Sequence, residues 1–202
     1  MFSFTRLRGA DPTLGVEMSS TGEVACFGMD SHEAFLQSML ATGFKLPTKD
    51  RSILLSIASN EFREEFLDAA RLLIKMGYSL SGTPGTTKYY ANVGIPITLV
   101  TKPVNDEDFE PCTQTGADSA LNMIRRNEVS MVINVSEGTT RRDEITSGYI
   151  IRRAAVDFGV SLVTNVKCAV KLIECLDLGY DKFQPKHIGQ FYKLPTIGWS
   201  RK

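Results

Sequence analysis

The sequence predicts an α/β protein built on an open, five-stranded parallel sheet with helices on both faces. Three observations carry that prediction. From residue 51 onward, short apolar runs alternate with stretches whose apolar residues recur every three or four positions. Runs such as "SILLSIA" are almost continuously apolar, as strands buried on both faces are. Nowhere are two runs joined by a hairpin signal, so successive strands must be connected by right-handed crossovers.

The opening segment, 1–46, begins with the Gly/Pro-punctuated loop "GADPTLG". "GEVACFG" (22–28) reads as a strand and "SHEAFLQSMLATG" (31–43) as a helix. Ser31 is its expected cap, Ala34, Phe35, Met39 and Leu40 its apolar stripe, and Gly43 its stop. One strand and one helix bury too little surface to fold alone, so this segment must lean on other sequence. The polar, proline-bearing "KLPTKD" (45–50) marks a boundary.

"SILLSIA" (52–58) is the first strand of the sheet, and "NEFREEFLDAARLLIKMG" (60–77) a long helix. Phe62, Phe66, Ala69, Leu73 and Met76 line one face, Asn60 is the expected cap and Gly77 the stop. "YSLSG" is the second strand, followed by the loop "TPGTT" and a short helix over 86–92. "IPITLV" (95–100) is the third strand, and a polar loop from 101 to 116 leads to the helix "ADSALNMIRRN" (117–127). "SMVINV" (130–135), the helix "YIIRRAAVDFG" (149–159), the strand "VSLVT" and the helix "VKCAVKLIECLDLG" (166–179) complete the series. The remainder, 181–202, lacks periodicity and reads as a tail.

Lys+Arg and Asp+Glu both total 23, so no overall field draws the chain to nucleic acid or to a membrane. No apolar run reaches the roughly 18 residues of a membrane helix. "MFSFTRLRGADP" lacks a secretory h-region, and a cytoplasmic place is expected. Cys26, Cys112, Cys168 and Cys175 form no C-x-x-C pair, and His32 and His187 are the two histidines, so no metal site is expected. Cys168 and Cys175, seven apart, read as buried free thiols on one helix face, which suits a reducing compartment.

In an open parallel sheet, ligands bind beyond the carboxyl ends of the strands. Three loops fall there. The first carries Ser56, Ser59 and Arg63, and the second Thr83, Gly85, Thr86 and Thr87. The third, "NVSEGTTRR", carries Asn134, Ser136, Gly138, Thr139, Arg141 and Arg142. Hydroxyls, glycine-exposed amides and arginines around one crevice suit a phosphate or carboxylate. The same residues also suit plain turn and cap chemistry, and neither a Walker A loop nor a G-x-G-x-x-G turn is present. Arg152 and Arg153 read as a solvated face or an interface. Neither histidine falls in the three loops, and Asp118, the acid at a loop-to-helix junction, reads as a cap or first-turn residue. No catalytic residue is assigned.

The run "GADPTLGVEMSSTGEV", within "FSFTRLRGADPTLGVEMSSTGEVACFG", resembles the end of the second ATP-grasp unit in the large subunit of carbamoyl-phosphate synthetase. Residues 51–180 resemble the regulatory domain that follows it there, whose methylglyoxal-synthase-like fold is of the Rossmann type. The likeness covers nearly the whole chain. It implies a remnant of the carbamoyl-phosphate-forming domain in 1–46, an allosteric domain in 51–180 and a tail in 181–202. The parent enzyme would be a glutamine-hydrolysing, ATP-dependent ligase supplying pyrimidine and arginine synthesis. Its ATP, magnesium and bicarbonate sites lie in domains outside this sequence, so the piece itself is expected to be inactive and to hold no cofactor. The partners implied are the rest of the synthetase with its glutaminase part, further copies of the chain, and a small effector.

In that family the three loops form the effector site. The matching positions are Thr83 and Thr86 in "TPGT", Lys102, Arg63, Asn134 and Ser136, with Ser56, Gly85, Thr87, Gly138, Arg141, Arg142 and Thr164 as secondary candidates. The bacterial enzymes, with lysine where Arg63 stands and threonine where Ser136 stands, hold the phosphate and sugar of uridine or inosine monophosphate there. Cation replaces cation and hydroxyl replaces hydroxyl, although arginine offers a planar fork. "SGYIIRRAAVDFG" is closer to eukaryotic pyrimidine enzymes, whose effectors are uridine nucleotides and phosphoribosyl pyrophosphate.

Other readings remain. The N-acetylglutamate-sensing branch has tryptophan at the position of Lys102 and asparagines near Glu137 and at Gly148, and this chain departs at all three. The bacterial ornithine site uses a tyrosine and a threonine; here Leu162 replaces the tyrosine and Thr164 remains. Methylglyoxal synthase, a lyase acting on dihydroxyacetone phosphate, has a "GGD" motif resembling "GAD" at Gly116–Asp118. It also needs a histidine and a further aspartate after the fourth strand, where "EGTTRRDE" has no histidine.

Overall fold

The computed structural model describes residues 24–103, 118–136 and 147–179. They fall into two units that part between Phe44 and Lys45. In the first, α1 (Ser31–Ala41) is a regular helix, while residues 24–28 carry no strand, contrary to expectation. The cap is Asp30, one residue earlier than expected. Its Oδ1 accepts from the His32 and Glu33 amides, both at 2.9 Å, and Glu33 reaches back to the Met29 amide at 2.6 Å. A carboxylate outcompetes the neighbouring serine because two acidic groups here face the helix's positive end.

The second unit holds the sheet: β1 (Ser52–Ile57), β2 (Leu80–Gly82), β3 (Thr98–Leu99), β4 (Val129–Val135) and β5 (Ser161–Val163). Its order is β3-β2-β1-β4-β5, and every neighbouring pair is parallel. The helices are α2 (Asn60–Glu65), α3 (Leu67–Lys75), α4 (Pro84–Asn92), α5 (Ala120–Arg125), α6 (Ser147–Asp157) and α7 (Val166–Asp177). None of the described helices is long and apolar enough to cross a membrane.

Four expected boundaries move for physical reasons. The long helix bends at Phe66, where φ is −88° and ψ −1°. Backbone hydrogen bonds continue through the joint, from Phe66 N–H to the Phe62 carbonyl and from Ala70 N–H to the Phe66 carbonyl. Its cap is Ser59, whose Oγ accepts from Phe62 N–H at 3.1 Å, rather than Asn60. The third strand shrinks from six residues to Thr98–Leu99 because the Ile95 amide is taken by the Tyr90 carbonyl and Pro96 has no amide to give. The second starts at Leu80 because the Tyr78 amide closes the end of α3 on the Leu73 carbonyl.

The two central strands make the core. β4 is buried along its whole length, and Ile53, Leu54, Leu55 and Ile57 of β1 are almost fully buried. Leu54 joins Val129, Val132, Ile124 and Ile151 in a cluster with α5 and α6, and by strand alternation Ile53 and Leu55 face the other way. The chain moves from β1 outward to β3, returns to β4 beside β1, and then moves outward to β5. Crossovers of one hand therefore place α2, α3 and α4 on one face and α5 and α6 on the other, while α7, after the last strand, is no crossover. α7 packs against α3. Of the two described helix cysteines, Cys175 is buried and Cys168 is exposed in the first turn of α7, so the paired burial expected of them is corrected.

Candidate functional site

Because β1 leads to β2 on one side and β4 leads to β5 on the other, their carboxyl ends diverge and leave a crevice. A cavity of about 270 Å³ occupies it. Ser56, Ile57 and Ala58 reach it from β1, Thr83 and Gly85 from the β2–α4 turn, and Lys102 from just beyond β3. Asn134, Val135 and Ser136 close it from β4, and Ser147, Gly148 and Arg152 from the start of α6. Arg63 enters from α2.

Arg63 is fixed in place. Its Nε donates to the Ile57 carbonyl at 2.9 Å, Nη2 to the Ala58 carbonyl at 2.7 Å and Nη1 to Asn60 Oδ1 at 2.7 Å. Three of five N–H groups are thus used, and two remain. Gly85 lies against it, since a Cβ there would stand 3.0 Å from Nη2. Tyr90, fully buried, donates to the Arg63 carbonyl at 3.0 Å, and burial pushes its phenol far above the ordinary tyrosine range.

The N-terminus of α4 points at the same place. Thr83 is its cap by position, but the Thr83 side chain makes no capping hydrogen bond, and Pro84 has no amide. The first backbone bond inside the helix is Thr87 N–H to the Thr83 carbonyl, so the Gly85 and Thr86 amides precede the ladder. On the opposite wall Asn134 is 2% exposed, and its Oδ1 accepts from Arg152 Nη1 at 2.8 Å. Asn134 Nδ2 is buried and has no hydrogen-bond partner among the described residues. Arg63, Lys102 and Arg152 are the charged side chains among the described lining residues, and no carboxylate stands with them. What this arrangement can do is hold an oxyanion: cations and helix amides border one space, and an asparagine in its wall carries an unpartnered, buried amide donor.

Residues 65–164 match the family model of the MGS-like domain. These residues belong to that family. Over 87% of its length the chain is 46% identical to multifunctional protein URA2 of Saccharomyces cerevisiae and 44% identical to multifunctional protein pyr1-3 of Dictyostelium discoideum. Over 90% of its length it is 39% identical to the mitochondrial carbamoyl-phosphate synthase [ammonia] of Aquarana catesbeiana. It spans only 8% of the first two relatives and 11% of the third. Among solved structures, methylglyoxal synthase from Elizabethkingia anophelis aligns with 63% of this chain and 79% of its own, at 15% identity and a TM-score of 0.44.

The MGS-like domain brings most of the expected residues together. Arg63, Thr83, Lys102, Asn134, Ser136, Ser56 and Gly85 all line the cavity. Thr86 does not. It is fully buried, its hydroxyl accepting from Ile57 N–H at 3.0 Å and returning a hydrogen bond to the Ile57 carbonyl at 3.2 Å. The Thr87 hydroxyl is likewise turned to the Gly82 carbonyl at 2.7 Å, and Thr164, exposed beyond β5, stands outside the cavity. Gly138, Thr139, Arg141 and Arg142 lie outside the described residues. Asp118 is neither cap nor first-turn residue; it precedes the cap Ser119, accepts from the Ser119 amide and pairs with Arg126, away from the cavity.

Arg152 is the site residue that sequence reasoning missed. The signal was its neighbour: Arg153 and Asp157, four apart, form a two-point ion pair on the exposed side of α6. That pair marks the solvent face and leaves Arg152, one residue earlier, beside the buried Ile151 and Ala155. Helical side chains lean toward the N-terminus, so an arginine in the second turn reaches back to the sheet edge.

Proposed function

We propose that this MGS-like domain is the effector-sensing part of a carbamoyl-phosphate synthetase, and that its cavity binds the phosphate of a uridine-nucleotide-type effector. The observation that carries the reading is the buried Asn134 Nδ2, unsatisfied at the wall of a cavity that Arg63, Lys102 and Arg152 also line. A buried donor without a partner costs about 1–3 kcal/mol, and an oxyanion in the cavity removes that cost. The Gly85 and Thr86 amides supply further donors, so Thr86 takes part through its backbone while its hydroxyl fastens α4 to β1. The similarity to multifunctional proteins and to a carbamoyl-phosphate synthase supports the parentage, with the catalytic units elsewhere in the longer chain.

A lyase reading finds no support in the cavity, where no histidine or carboxylate is found among the described lining residues. Calorimetric titration of the chain with uridine 5′-monophosphate tests the proposal. Wild type is expected to bind, and Lys102→Met to bind roughly tenfold more weakly, as loss of one hydrogen bond to a charged group predicts. No heat with wild type at millimolar nucleotide, or equal affinity in the variant, counts against it.

A further inference from the structure

Three acceptors of the cavity wall are each occupied by an arginine. Arg63 covers the Ile57 and Ala58 carbonyls, and Arg152 covers Asn134 Oδ1. An asparagine amide has one accepting and one donating end. With Oδ1 held by a guanidinium, the reverse orientation would set an NH2 group against another donor. The amide of Asn134 thus has one acceptable orientation, and at 2% exposure bulk water does not relieve its other end.

We propose that Arg152 is a positioning residue: it locks the Asn134 amide with Nδ2 toward the cavity, so that this position donates and does not accept. The site then favours an oxyanion over any ligand that presents its own N–H or O–H at that point. The inference rests on the anion-binding reading above and assigns its selectivity to a side chain that acts through another.

Arg152 also carries a charge that attracts an anion directly, and a double-substitution cycle separates the two roles. Uridine 5′-monophosphate is titrated calorimetrically into the full chain as wild type, Arg152→Gln, Asn134→Ala and the double variant. Each single substitution is expected to weaken binding roughly tenfold, and the pair to weaken it little further, because Arg152 has nothing to position once the amide is gone. Losses that multiply to roughly a hundredfold would overturn the positioning role. If the glutamine variant does not fold, Arg152→Met repeats the cycle.

A ligand-free measurement stands beside it. In the nitrogen-15 spectrum of the labelled chain, Arg152→Gln is expected to displace the Asn134 side-chain amide pair, and an undisplaced pair would refute the lock. Absence of nucleotide binding by wild type would instead sink the anion-site reading and the selectivity with it, leaving the spectrum to judge whether Arg152 holds Asn134.

Discussion

Tyr90 keeps its proton because its ring is fully buried and its hydroxyl is engaged with the Arg63 carbonyl. Its ionisation is raised in the folded chain, whereas the unfolded chain begins to lose that proton near pH 10. Stability from this group is therefore complete below about pH 10 and declines as pH rises beyond it. Urea unfolding at neutral and alkaline pH is expected to show a steeper alkaline loss in wild type than in Tyr90→Phe, which itself costs about 1 kcal/mol at neutral pH. Equal alkaline slopes would contradict the assignment. Thr86 gives a second prediction. Thr86→Val strips the Ile57 amide of its partner, while the Ile57 carbonyl keeps Arg63 Nε, and should cost about 1–3 kcal/mol in urea unfolding. Nucleotide affinity should change little, since the Thr86 amide remains; tenfold weaker binding at unchanged stability would make the hydroxyl a ligand contact instead. The sequence placed Thr86 in the right turn, yet its spacing could not show that the hydroxyl faces β1.

At the level of elements, two glycines act for different reasons. Gly77 ends the α3 segment at φ +87°, with open space around a built Cβ, so Gly77→Ala should cost about 1 kcal/mol of folding stability through backbone strain alone. Its nucleotide binding should be unchanged. Gly85→Ala is expected to do the reverse. Its backbone is not in the left-handed region, but a Cβ presses on Arg63 Nη2 at 3.0 Å, so affinity should fall while the urea midpoint holds. A variant that lost stability without losing affinity would contradict that placement. The element series itself was legible because continuous apolar runs and three- and four-residue spacing are strong local signals. What escaped depended on partners distant in sequence. Pro96 and the Tyr90 carbonyl shorten β3, Phe66 bends a helix that reads as one, and 24–28 carry no strand despite their apolar pattern.

Across the whole molecule, equal totals of acidic and basic residues hide a local imbalance. Three cations meet at the switch point of the sheet, and among the described residues none of them is held in an ion pair. The crevice follows from strand order, with β1 and β4 adjacent although 71 residues lie between Ile57 and Val129. Its edge could be anticipated from the strand–loop rhythm, and the resemblance supplied most of the lining residues. Arg152 was lost because two adjacent arginines look alike until the Arg153–Asp157 pair shows which of them faces solvent. The most direct measurement is a crystal structure of the chain with uridine 5′-monophosphate. Phosphate oxygens are expected within about 3 Å of Asn134 Nδ2 and of the Gly85 and Thr86 amides, with Lys102 and the fixed Arg63 beside the charge. A nucleotide bound elsewhere, or a cavity empty at saturating nucleotide with Asn134 Nδ2 turned away, would contradict that expectation.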